Sequence, residues 1–218
     1  MVQLQMESVI YAHQTPVAAA ATRRPGRTNK TQLKLFEAAM DIMSEGGPLA
    51  TTVEDIAERA GVSKGTVYYN FGSKKTMIDQ LLQYGAKLLL AEMSVASQDD
   101  DPRLAVHGAL RAAIRYIRSH PGFARLWVSE LWQGIEDWSA TTAQIRTDII
   151  LFLRELIVRL SDKYSVRSEC KPEDLAIIIF GAVFMLSMDE TRSGPHRSDS
   201  EAADIAMLTI DGYIIAEA

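Results

Sequence analysis

Two short amphipathic helices separated by one glycine-centred corner are written into Thr51–Lys75, TTVEDIAERAGVSKGTVYYNFGSKK. Thr52 stands immediately before an apolar-periodic run and Asp55 follows three residues later, a threonine N-cap with an acidic capping-box partner. Val53, Ile56 and Ala57 then share one face, with Ala57 small where a crossing helix needs close approach. Gly61 falls just past the last helical residue, where a left-handed backbone is cheap only for glycine. Val62 plugs the corner, Ser63 caps the next helix, and Val67 and Phe71, four apart, give that helix its buried face. Two short helices joined by a tight turn containing Gly form a helix-turn-helix.

The other face of the second helix separates this unit from an ordinary helical hairpin. Lys64, Gly65, Thr66, Tyr68 and Asn70 cannot all point inward, because helical neighbours diverge by about 100°. Gly65 in the first turn costs roughly 1 kcal/mol against Ala, which makes sense if that turn lies close against another surface. Lys74 and Lys75 follow Ser73 at the start of a third helix, where cations oppose the macrodipole. A phosphate there reverses the penalty. These features point to double-stranded DNA as the partner.

Helices continue on both sides. From Asn29 to Ser44 the apolar residues Leu33, Phe36, Ala39, Met40 and Met43 recur at helical intervals, until Gly46-Gly47-Pro48 stops the run. Beyond Gly72 we expect helices over about 74–97, 102–119, 121–133, 140–163, 172–190 and 201–216. No stretch alternates with a two-residue period, so the fold class is all-α. The expected organisation is a flexible tail over 1–26, an N-terminal three-helix helix-turn-helix domain over 27–73, and a larger helical ligand-binding and dimerisation domain over 74–218. Charge follows that division. Residues 23–75 carry nine Lys and Arg against six Asp and Glu, whereas 76–218 carry 14 against 21, and the whole chain has net charge −5. A basic front on an acidic body suits a protein that meets a polyanion at one end.

The residues Asn29–Leu82, with the DIAERAGVSKGTVYYNF run and the trailing Ser-Lys-Lys, resemble the N-terminal part of TetR-family transcriptional regulators. Asn70 stands where His is frequent in that family, and Gly72 where a longer residue or Pro often sits. The resemblance implies that Thr52, Tyr69 and Lys75 grip phosphates and that Lys64, Gly65, Thr66 and Tyr68 meet base edges, with Lys74 beside them. Chemistry agrees, since Lys donates to guanine O6 or N7 and a Thr methyl packs on a thymine methyl. Ahead of the first helix, Arg23, Arg24 and Arg27 flank a Pro-Gly pair. They either enter a minor groove or form a solvated basic tail.

One helix-turn-helix makes too few contacts for strong specificity, so a homodimer reading two half-sites is expected. Its interface is expected on the last two helices, at Ile178, Gly181, Met185, Leu208 and Ile215. The run Leu175–Met188 is apolar nearly all round, and the resemblance implies a four-helix interface built from two helices of each subunit. The residues between Asp101 and Tyr164 hold all three tryptophans. An apolar cavity between helices there is the expected site of a small-molecule effector, with candidate lining residues Trp127, Glu130, Leu131, Phe152 and Phe184.

Other classes fall away. One cysteine excludes an internal disulfide framework, and four scattered histidines share no metal-ligand spacing. Neither a metal nor a cofactor is expected. The longest uncharged apolar run has 14 residues, short of the roughly 20 that span a bilayer. A Gly-rich phosphate loop and a nucleophile elbow are both missing. The expectation is therefore not an enzyme but a cytoplasmic repressor, released from a palindromic operator when an effector shifts its population. Two rival readings stay open: a DNA-binding or architectural protein of the same fold that senses no small molecule, and a helical enzyme.

Overall fold

Prolines, serines and one threonine set where the helices of this chain begin. The computed structural model describes residues 25–132, 138–189 and 197–215, with side chains from Lys30 onward. Helices α1 (Pro25–Gly46), α5 (Pro102–Ser119), α6 (Pro121–Leu131) and α8 (Pro172–Met188) start on proline, whose fixed φ and missing N–H suit a first turn. Helices α2 (Val53–Arg59), α3 (Lys64–Phe71), α4 (Lys74–Ala96), α7 (Ala140–Val158) and α9 (Asp199–Tyr213) follow Thr52, Ser63, Ser73, Ser139 and Ser198, each accepting a backbone N–H on its hydroxyl oxygen. Among the described residues there is no strand, only one isolated bridge between Val166 and Ile214. The chain is all-α, as its periodicity requires.

Several boundaries differ from the sequence expectation for identifiable reasons. Pro25 and Gly26, placed in the tail by sequence, are the first residues of α1, because proline at N1 opens a helix rather than breaking it. Arg23 and Arg24 lie outside the described residues, as does the Arg27 side chain. The helix expected over 140–163 ends at Val158 and tightens into a 3-10 turn, Arg159–Asp162. The last helix starts two residues early because Ser198 and Glu201 form a second capping box.

Two apolar rows of α1 place the N-terminal unit on the body. Leu35, Ala39 and Met43 are buried with Val53, Ile56, Val67 and Phe71, and form the core of α1–α3. Leu33, Phe36 and Met40 are half-buried on the other row, which faces α4 and α6. In the body α4 lies along α5, α7 along α8, and α9 against both α5 and α8. Helix α4 belongs to both units: Met77 and Leu81 near its start and Met93 near its end are fully or almost fully buried.

Head and body approach closely at Gly122 of α6, where a Cβ would collide with the carbonyl oxygen of Met40 in α1. Gly122→Ala is expected to lower stability by about 1–3 kcal/mol in urea unfolding, because neither backbone can give way. Gly46→Ala, where a Cβ meets open space, should change it little.

Asp101 fastens the start of α5 to the end of the 3-10 turn. Its carboxylate caps Arg103 N at 2.8 Å and accepts from Lys163 Nζ at 2.6 Å and from the Tyr164 hydroxyl at 2.8 Å. Hydrogen bonds from Lys163 first and Tyr164 second hold the carboxyl well below the usual aspartate range. A folded pKa below the unfolded one contributes stability that is complete above the unfolded value of about 3.9 and disappears as pH falls towards the folded value. Asp101→Asn should therefore flatten the loss of thermal stability below about pH 4, measured as Tm against pH.

Candidate nucleic-acid interface

The capping box at α2 forms as its sequence requires. Thr52 Oγ1 accepts from Asp55 N at 3.1 Å, and Asp55 Oδ2 accepts from Thr52 N at 2.9 Å and from the Thr52 hydroxyl at 2.6 Å. Those bonds hold the Asp55 carboxyl below its ordinary range. At the corner Gly61 adopts φ +64°, and Val62 N donates to Ala57 O at 2.9 Å. Ser63 Oγ accepts from Thr66 N at 3.2 Å, which starts α3. Val67 and Phe71 are the buried residues of α3, and the Phe71 ring lies 5.4 Å from that of Phe36.

The opposite side of α3 is open. Lys64, Gly65, Tyr68 and Tyr69 are all exposed, Tyr69 by 64 %. Thr66 is half-buried, and its hydroxyl sits 2.9 Å from that of Ser63. Lys64 pairs with Glu54 of α2 while its ammonium lies 5.8 Å from the Tyr68 ring centre. The pairing lowers the Glu54 carboxyl and raises the Lys64 ammonium. Sequence reasoning found Lys64 but missed Glu54, ten residues away and one helix earlier. Asn70 donates to Thr66 O at 2.7 Å, so its amide is engaged within α3.

The two lysines at the start of α4 separate. Lys75 is exposed, whereas Lys74 is half-buried and donates to Thr51 O at 2.5 Å, tying α4 to the loop before α2. Neighbours on a helix diverge by about 100°, and spacing alone does not say which one turns inward.

Behind this unit α4 to α8 surround a small cavity of about 30 Å³ lined only by apolar side chains. Trp127 and Phe184 line it, and Phe123 stacks on Trp127 with ring centres 6.3 Å apart. Glu130, Leu131 and Phe152 do not line it. Leu153 takes the inward position on α7, which turns its neighbour Phe152 aside. Glu130 and Leu131 fall at the very end of α6. Of the three tryptophans only Trp127 lines this cavity: Trp132 is 76 % exposed, and Trp138 donates from Nε1 to Leu131 O at 3.3 Å. Sequence reasoning did not pick out Phe123, Val183 or Leu153 as lining residues, although Phe123 and Trp127 stand four apart on α6.

The outer faces of α8 and α9 each carry an exposed apolar stripe. Ile178, Gly181, Met185 and Met188 recur at intervals of three and four on α8, and Ile205, Leu208, Gly212 and Ile215 repeat those intervals along α9 and its end. Gly181 and Gly212 have open space where a Cβ would stand. Ile210 is fully buried in the core. No described helix is long and apolar enough to cross a membrane.

Residues 35–81 match the family model of bacterial regulatory proteins, tetR family. The chain is similar to the transcriptional repressor KstR2 of Mycobacterium tuberculosis strain H37Rv, at 29 % identity over 53 % of this chain and 72 % of that protein. It is also similar to the transcriptional regulator RutR of Escherichia coli K12, at 31 % identity over 55 % of this chain and 57 % of that one. Among solved structures, the TetR-family regulator PfmR of Thermus thermophilus is 25 % identical with a TM-score of 0.66, covering 81 % of this chain and 97 % of its own. These relatives are transcriptional regulators and not enzymes. With its capped helix-turn-helix and the all-helical body behind it, the chain carries the N-terminal DNA-binding domain of the tetR family of bacterial regulatory proteins and is similar to TetR-family transcriptional regulators.

Proposed function

We propose that the protein is a cytoplasmic homodimeric repressor that binds a roughly palindromic operator and leaves it when a small apolar effector enters the body. In this reading residues 27–73 form the DNA-binding unit and 74–218 the sensing and dimerising unit. Lys64, Gly65, Thr66 and Tyr68 meet base edges, while Thr52, Tyr69 and Lys75 hold phosphates and so fix the register. Lys74 secures the loop before α2 from within. The observation that carries the reading is the open face of α3, which exposes a lysine, a glycine and two tyrosines while burying Val67 and Phe71. Pairing with the stripes of α8 and α9 places two such faces on one duplex.

The cavity supports effector control by its size as well as its lining. At about 30 Å³ it holds little more than a water, far below the roughly 300 Å³ of a ligand pocket. An effector must therefore open it, and opening it moves α4, which begins at the DNA unit. That differential affinity for an open form is what a population shift requires.

Selection of duplexes from a random pool tests the reading. The expected product is an inverted repeat with half-site centres about 10 base pairs, or a multiple of that, apart. Recovery of no sequence above the starting pool would overturn it.

A further inference from the structure

A larger opening lies at the junction of head and body, outside the small apolar cavity. It is a groove of about 460 Å³ between α1 on one side and α4, α5 and the start of α6 on the other. We propose that this groove binds an organic ammonium ion with an apolar, preferably aromatic, body.

Charge sets the sign of the ligand. Glu37 and Asp41, one turn apart on α1, are the charged residues of the lining, which contains no Lys or Arg. Neither carboxylate forms an ion pair among the described residues; Asp41 feels the Arg59 guanidinium only at longer range. Aromatic surface sets the shape. Phe36 and Tyr84 lie 5.5 Å apart, and Tyr116 stacks on His120 at 4.1 Å. Ring faces beside carboxylates attract a cation both through the quadrupole and through charge.

A buried tyrosine lines the same space. The Tyr116 side chain is only 3 % exposed, and its hydroxyl has no hydrogen-bond partner among the described residues. No sealed side-chain polar atom goes unpartnered among the described residues, so that hydroxyl keeps some access to solvent, and Tyr116 is one of the residues lining the groove. Burial pushes the Tyr116 phenol up, and burial together with the Glu37 carboxylate pushes the Tyr84 phenol up. Both stay neutral, with oxygen lone pairs available to an ammonium N–H. The His120 ring donates from Nδ1 to Tyr116 O at 2.8 Å, which leaves Nε2 as an acceptor in the neutral ring. Phe123 stands between this groove and the small apolar cavity, since it lines both. An apolar body seated on Phe123 would press on the helix start that touches α1 at Met40.

Calorimetric titration of the full chain without DNA tests the proposal, so failure of the operator reading would leave it untouched. The probes are 4-phenylbutylammonium, 4-phenylbutanol and 5-phenylpentanoate, which share one apolar body and differ in charge. The ammonium should bind at least about tenfold more tightly than the carboxylate, with the alcohol between them. E37Q/D41N, both at exposed positions, should abolish that order while keeping the wild-type Tm. Tyr116→Phe should weaken the ammonium more than the alcohol. Equal affinities for the three probes, no detectable binding of the ammonium, or an order unchanged in E37Q/D41N would each overturn the proposal.

Discussion

Leu208→Asp should turn the protein into a monomer that keeps its helical content and loses operator binding. Leu208 is 67 % exposed on α9, so the subunit core does not depend on it. Yet it lies in the middle of the stripe Ile205–Leu208–Gly212–Ile215, beside the matching stripe of α8. A carboxylate at that position must be desolvated against apolar side chains of a second subunit, with no cation on either stripe to receive it. Linking two reading heads raises apparent affinity by about 10²–10⁴ over one head, and operator affinity should fall by that much. Sedimentation equilibrium reads the mass, and anisotropy with a labelled duplex reads the affinity. Val95→Asp, at an exposed position on α4, is the control and should remain dimeric. A dimeric Leu208→Asp with unchanged affinity would move the interface elsewhere.

Gly65→Ala separates stability from function by moving them in opposite directions. The atom nearest to a Cβ at Gly65 is Ser63 Oγ at 3.6 Å, an ordinary contact. Alanine therefore fits the free protein and should stabilise α3 by up to about 1 kcal/mol. Operator affinity should nevertheless fall by about tenfold or more, on the scale of one lost base contact, if the first turn of α3 lies against the duplex. Urea unfolding and operator titration of the same sample check both halves. A variant that is more stable and binds as well as before would mean that the glycine serves no close approach to DNA.

The parts of this protein governed by local rules were legible in the sequence. Caps at Thr52 and Ser63, the positive φ of Gly61 and the inward pair Val67 and Phe71 all follow from spacing, and all appear in the structure. Helix ends were less legible, because Pro25 reads equally as a breaker and as a first residue. The resemblance covered the head, whereas the body had to be read from composition. Aromatic content marked the half of the chain that holds the cavity but did not say which ring turns inward, so Trp127 lines the cavity while Trp132 faces solvent. The partners that occupy Lys64 and Lys74 depend on Glu54 and Thr51 being brought close by folding, which no periodicity reveals. The groove at Tyr116 arises from four helices meeting and has no signature in any one of them.

The measurement that bears most directly on the central claim is the salt dependence of binding to the selected duplex, with wild type and Lys75→Ala side by side. Lys75 is exposed at the start of α4 and touches a phosphate in the proposed complex, once per subunit. The logarithm of the wild-type association constant should fall steeply and linearly with the logarithm of salt concentration. The Lys75→Ala slope should be shallower by about two in a dimer. Parallel lines for the two proteins, or a wild-type affinity indifferent to salt, would contradict the account.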